Sequence, residues 1–130
     1  MQALDHAIRK LLEDAYAAII ARNIEAALAA MHPDVAWPNG MEGGYVQGQD
    51  EVRDYWSRQW QMIDPEVTPL NFTRGSSSRV IVDVWLVVRD LAGRVHTDEV
   101  AQHAFAIECG RILAMEIRKR ELNPEVKHEP

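Results

Sequence analysis

Three side chains in this chain have types and settings that could do acid–base chemistry, Tyr16, Asp83 and His103, and a fourth, Asn39, could orient an oxygen. Asp83 interrupts the apolar run Val80-Ile81-Val82-Asp83-Val84-Trp85-Leu86-Val87-Val88, where an unpaired buried carboxylate would be costly. It reads either as a general base tuned by an apolar pocket and a neighbouring imidazole, or as a solvated acid on an outer face. His103 lies in a second apolar run and is either a proton donor or acceptor beside that acid, or a hydrogen-bonded core histidine. Tyr16 could donate its hydroxyl to a bound carbonyl or simply close a helix–sheet core. Asn39 is either a ligand-orienting amide or, preceding Gly40, a turn residue. Trp37, Trp56, Trp60 and Trp85 could wall an aromatic site with Phe105 and Met115, although tryptophans at helical spacing also make plain core.

Whether Asp83 meets His103 depends on the element that carries them, residues 79–119. Three β-branched runs are separated there by two glycine-containing turns, which predicts three antiparallel strands. Asp90-Leu91-Ala92-Gly93 has type I turn chemistry with a left-handed glycine. That turn sets Asp90 opposite Arg94, Asp83 opposite Ala101 and His103 opposite Ile81. Odd-numbered residues of both strands then share a face, with Asp83 and His103 roughly 7–8 Å apart. A one-residue change of register would separate them. At Cys109-Gly110 a two-residue loop competes with a type I turn from Ile107; the second buries Leu113, Met115 and Ile117 beside Phe105 and is preferred.

Upstream, helices are predicted over 3–22, from Ile24 to Met31, and from Gly48 to Pro65, on the spacing of their apolar residues. Short strands are expected at Asp34–Trp37 and near Val67–Thr73. Helices before a curved, mainly antiparallel sheet give an α+β fold, and a curled sheet would enclose a pocket between itself and the helices. The even face of the sheet (Val80, Val82, Val84, Leu86, Val88, Val100) is left uncovered in this scheme and predicts a sheet-to-sheet homodimer.

With 130 residues, 47% of them hydrophobic, one domain over residues 1–120 and a polar tail over 121–130 are expected. A formal charge of −6 argues against nucleic acid and anionic membranes. No signal-peptide core or transmembrane run is present, and one cysteine suits a reducing compartment, so the expected location is cytoplasmic. The five histidines lack ligand-like spacing, and no phosphate loop or nucleophile elbow occurs, so neither metal nor cofactor is expected. Glu99 and His96 read as solvated rim residues.

Four segments carry a resemblance to a known family: the long first helix with Tyr16, then AAMHPDVAWPNG, GYVQGQDEVRDYW and HAFAIECGRILAMEIRK. Over about residues 3–119 the chain resembles the nuclear transport factor 2-like superfamily, which includes ketosteroid isomerases and SnoaL-like polyketide cyclases. The resemblance implies a cone-shaped α+β barrel, three N-terminal helices packed on a curved, mainly antiparallel sheet, and a pocket for a small, largely apolar molecule. It further implies either a cofactor-independent isomerase, cyclase or dehydratase, or a non-catalytic ligand-binding or dimerisation module. Tyr16 matches the oxyanion-donating tyrosine of the isomerases and His103 their second donor. Asn39 takes the place of their general base and cannot accept a proton. Asp83 resembles an epoxide hydrolase acid, but Ile81 replaces the required arginine and the last strand has no second aspartate.

Overall fold

The structure is a computed structural model that describes residues 4–75 and 78–119; the tail at 121–130 lies outside the described residues. Helix α1, His6–Ile20, begins where the Asp5 carboxylate accepts the Ala7 N–H at 2.8 Å. Its apolar spacing turns Leu12, Ala15, Tyr16 and Ala18 inward. The helix is terminated by Arg22 in the left-handed region, φ 60, while the Asn23 N–H returns to the Ala18 carbonyl at 2.8 Å. Asn23 then caps α2, Ile24–Ala29. Strand β1, Met31–Pro38, starts three residues earlier than expected. A short strand without a sequence signal, β2 (Tyr45–Gln47), leads into α3, Gly48–Met62, where Asp50 and Glu51 sit in the first turn.

Four strands follow: β3 (Ile63–Arg74), β4 (Val80–Asp90), β5 (Val95–Glu108) and β6 (Arg111–Lys119). Their order in the single six-stranded sheet is β2-β1-β6-β5-β4-β3. The β1–β6 pair is parallel and the other four pairs are antiparallel. Strands β2 and β3 do not pair with each other, so the sheet is open and the expected closed barrel is incorrect. Closure would need two edges able to share a ladder, but β2 offers only three residues and β3 carries Pro65 and Pro69, which lack N–H donors.

The first hairpin turn forms as expected. The Gly93 N–H bonds the Asp90 carbonyl at 3.0 Å, Gly93 takes φ 94, and Asp90 N–H bonds the Arg94 carbonyl. Beyond the turn a β-bulge intervenes. Arg89 pairs with Val95 but Val88 pairs with Thr97, leaving His96 as the extra residue. From there Val82 stands opposite His103 and Asp83 opposite Gln102, which corrects the expected pairing of His103 with Ile81. The extra residue is fastened back to the turn, its Nε2 3.0 Å from Asp90 Oδ2. That contact, followed by the Arg94 N–H, holds the Asp90 carboxyl below the usual carboxylate range.

A second bulge decides the last hairpin. Cys109 and Gly110 both have positive φ (54 and 72), forming the two-residue turn rather than the preferred one. Leu113 is then skipped between the Ile107–Ile112 and Ala106–Ala114 pairs, so Met115 still comes to lie opposite Phe105. A third bulge skips Leu70 in β3 and brings Phe72 opposite Val82.

As a result Val80, Val82 and Val84 belong to the main core with Leu12, Tyr16, Val52, Trp56 and Phe105, not to the uncovered face. The face away from the helices instead carries Asp83, Trp85, Val100 and Gln102. Among the described residues, no helix is long and apolar enough to cross a membrane.

Candidate functional site

Three elements converge on the Tyr16–His103 pair. Helix α1 supplies Tyr16, β3 supplies Phe72 and β5 supplies His103 and Phe105. The Tyr16 hydroxyl lies 2.7 Å from His103 Nδ1, and the two rings are stacked with 10° between their planes. Phe72 and Phe105 meet the Tyr16 ring edge-on, with centroids 6.3 and 6.0 Å away. Tyr16 is 3% and His103 9% exposed, so neither group is well solvated. Burial therefore pushes the His103 imidazole down to about 4 and the Tyr16 hydroxyl above its usual range.

The bond also fixes the proton positions. Among the described residues, His103 Nδ1 is the one partner of the Tyr16 hydroxyl. If Nδ1 carried the proton, the tyrosine O–H would be a buried donor without an acceptor, at a cost of about 1–3 kcal/mol. The neutral imidazole thus accepts at Nδ1 and carries its own proton on Nε2. Directly across from His103 on β6 stands Ile117, which is 51% exposed. His103 accordingly occupies the boundary between the covered core and an open end of the same sheet face.

Asp83 is not part of this constellation. It pairs with Gln102, accepts the Gln102 side-chain N–H at 3.0 Å and faces away from the helices. The expected Asp83–His103 neighbourhood is absent because the His96 bulge moves every later residue of β5 by one. Asn39 is buried, but its Oδ1 accepts the backbone N–H groups of Met41 and Glu42, and its amide donates to Glu42 Oε1. Both ends of the amide serve the turn. Trp85 is 46% exposed on the outer face, where its indole N–H donates to Asp98 Oδ1 at 2.7 Å, so it is no wall of the inner site.

Trp37, Trp56 and Trp60 do come together. Trp37 meets Trp56 edge-on at 5.4 Å, and Trp56 stacks on Trp60 at 5.7 Å. The outer side of Trp60 is covered by Arg22, whose guanidinium lies 4.8 Å above the ring and donates to Asp64 and the Pro65 carbonyl. Phe105 and Met115 are core residues, 2% and 3% exposed. Clefts of about 290, 190 and 270 Å³ open on the surface; Trp60 and Arg22 line the second and Arg22 the third, and neither Tyr16 nor His103 lines any of them. Among the described residues, no group of three His, Cys, Asp or Glu side chains could hold a metal.

Sequence reasoning missed Phe72 and Arg22. The Leu70 bulge hides which face Phe72 takes; the helix end at Arg22 is expected, but nothing in the sequence signals the contacts of its side chain with Asp64, Pro65 and Trp60.

No curated protein matches the chain. Among solved structures it is similar to TerC co-crystallised with polyporic acid, at 25% identity and a TM-score of 0.76 over 88% of this chain and 92% of that one. It is similar to a nuclear transport factor 2-like protein of unknown function from Burkholderia pseudomallei, at 27% identity and a TM-score of 0.77 over 89% and 92%. A candidate polyketide cyclase from Sinorhizobium meliloti shares the fold at 18% identity, TM-score 0.72, over 88% and 100%. The family model of the SnoaL-like domain matches residues 12–115, from within α1 to within β6 and including the Tyr16–His103 pair, and the chain belongs to that SnoaL-like family.

Proposed function

We propose that this chain binds a small, largely apolar molecule through one of its oxygen atoms, and that His103 Nε2–H makes the polar contact. The observation that carries the reading is the 2.7 Å Tyr16–His103 bond inside an aromatic shell. Burial keeps the imidazole neutral and Tyr16 orients it, so the site offers an acceptor oxygen a hydrogen bond without a full charge. A donor of this kind in a poorly solvated setting stabilises charge that develops on a carbonyl oxygen. That suits acid–base rearrangement without a cofactor: isomerisation, cyclisation or dehydration. TerC, at 25% identity, was co-crystallised with an organic acid, which supports a small oxygenated molecule as the class of ligand.

A second reading, a non-catalytic ligand-binding module, is favoured by Asn39, whose amide is spent on its turn, and by Asp83, which faces the other way. In either reading the exposed Trp85 and Val100 on the outer sheet face suit packing against a second copy of the chain.

Thermal-shift and calorimetric screening against steroids, polyketide-like phenols and terpenoid ketones tests the proposal. Ligands that stabilise the wild type should lose about tenfold or more in affinity in His103→Asn and bind Asp83→Asn unchanged. Equal affinity for the wild type and His103→Asn would remove His103 from the site.

A further inference from the structure

We infer that the groove between the end of α1 and the start of β3 is a second ligand site, which takes a small apolar carboxylate with its charged end at Arg22. The site stands on observations separate from the Tyr16–His103 bond, so either can fail without the other. Its cleft has a volume of about 270 Å³. Ile19 and Ile20 from the last turn of α1 and Pro65 and Val67 from β3 give it apolar walls. Ile19 and Val67 also pack against the core and make a fixed floor, whereas Ile20 is 53% exposed. Sites for drug-sized molecules begin at roughly 300 Å³, so the occupant that fits is smaller, one ring with a short chain.

Arg22 supplies the polar end. Its left-handed backbone turns the chain off the helix, and its guanidinium is held 4.8 Å above the Trp60 ring. Both Nη2 hydrogens are taken, by Asp64 Oδ1 and the Pro65 carbonyl, each at 2.6 Å. Nε–H and the Nη1 hydrogens have no acceptor among the described residues, and the side chain is 33% exposed. A guanidinium already fixed by stacking and two hydrogen bonds loses little freedom when it donates to a further oxygen, and a carboxylate oxygen forms the stronger, charge-assisted bond.

The neighbouring acids decide which side of Arg22 an anion takes. On the β3 side Asp64 is paired with Arg22, and Glu66 lies 2.8 Å from Arg89 Nη1, so two carboxylates face two guanidinium groups. The adjoining cleft of about 190 Å³ shares Arg22 and Asp64 and adds Asp90. The Arg22–Asp64 pair is therefore the partition between the two clefts. Two acids line the Trp60 side with Arg22 as the lone arginine or lysine, which disfavours a third carboxylate there.

The probe is hydrocinnamate, compared with hydrocinnamyl alcohol, each titrated into the isotope-labelled full chain and followed by amide NMR. The acid should bind more tightly than the alcohol and shift the amides of Ile19–Asn23 and Asp64–Val67. Arg22→Gln should lose about tenfold in affinity for the acid and keep its affinity for the alcohol. Two variants at exposed positions guard against a folding defect in Arg22→Gln. Asp64→Asn should gain about two- to fivefold for the acid and Ile20→Glu should lose as much, the size of one exposed charge pair. Equal affinity for acid and alcohol in the wild type would overturn the site, as would an unchanged affinity for the acid in Arg22→Gln. Failure of the acid to bind at millimolar concentration, or amide shifts centred on His103 in place of the groove, would overturn it as well.

Discussion

The hydroxyl of Tyr16 and Nδ1 of His103 stand 2.7 Å apart although 87 positions separate them in the chain, and their rings are nearly parallel. One residue comes from the first helix and the other from the middle of the fifth strand. Neither has another side-chain hydrogen-bond partner among the described residues, so each depends on the other for its buried polar atom.

Replacing Tyr16 by Phe should therefore destabilise the fold by about 1–3 kcal/mol, because Nδ1 is left buried and unpaired. The loss is read as a lower urea midpoint with an unchanged slope. The same variant should release the tautomer. Nitrogen NMR of the His103 ring should show the wild type protonated at Nε2 and a mixture of both forms in Tyr16→Phe.

Stability should also fall in acid through His103. Its folded-state pKa is near 4, below the value of about 6.5 for the unfolded chain, because burial disfavours the charged ring. Between those values the unfolded state binds more protons, so stability is fully present above about 6.5. It drains away as pH falls toward 4, by about 3 kcal/mol in all. Urea midpoints at pH 7 and 4.5 check this. In His103→Asn that part of the pH dependence should vanish, leaving the slope due to carboxylates.

Arg22 offers a separate test, since its backbone and its side chain pull in opposite directions. Its φ of 60 favours glycine, whereas its guanidinium ties Asp64, the Pro65 carbonyl and the Trp60 ring together. Arg22→Ala loses the contacts and keeps the strain; Arg22→Gly loses the contacts and relieves it. Glycine should be the more stable of the two by about 1 kcal/mol in thermal or urea unfolding.

Much of this architecture is legible in the residues themselves. Leu12, Ala15 and Tyr16 announce a buried helix face, and Asp90 with Gly93 announces its turn. What is not legible is the set of single skipped residues: Leu70, His96 and Leu113. A bulge needs no glycine or proline and leaves the apolar alternation plausible on either side, yet each one exchanges the two faces of a strand. At His96 that exchange brings His103 to Tyr16 and turns Asp83 away. The β2 strand is hidden for another reason: its three residues are too short to show a period. The aromatic stack at Trp37, Trp56 and Trp60 follows from helical spacing, whereas Trp85 depends on the register that the bulge alters.

Pro65 and Pro69, four residues apart along the outermost long strand, have a meaning beyond the shape of one molecule. Unprotected strand margins recruit neighbours, and in a crowded or partly unfolded population that recruitment leads to fibrils. Two missing donors and the irregularity at Leu70 make this margin a poor template, so the longest unpaired border among the described residues resists polymerisation by its own backbone.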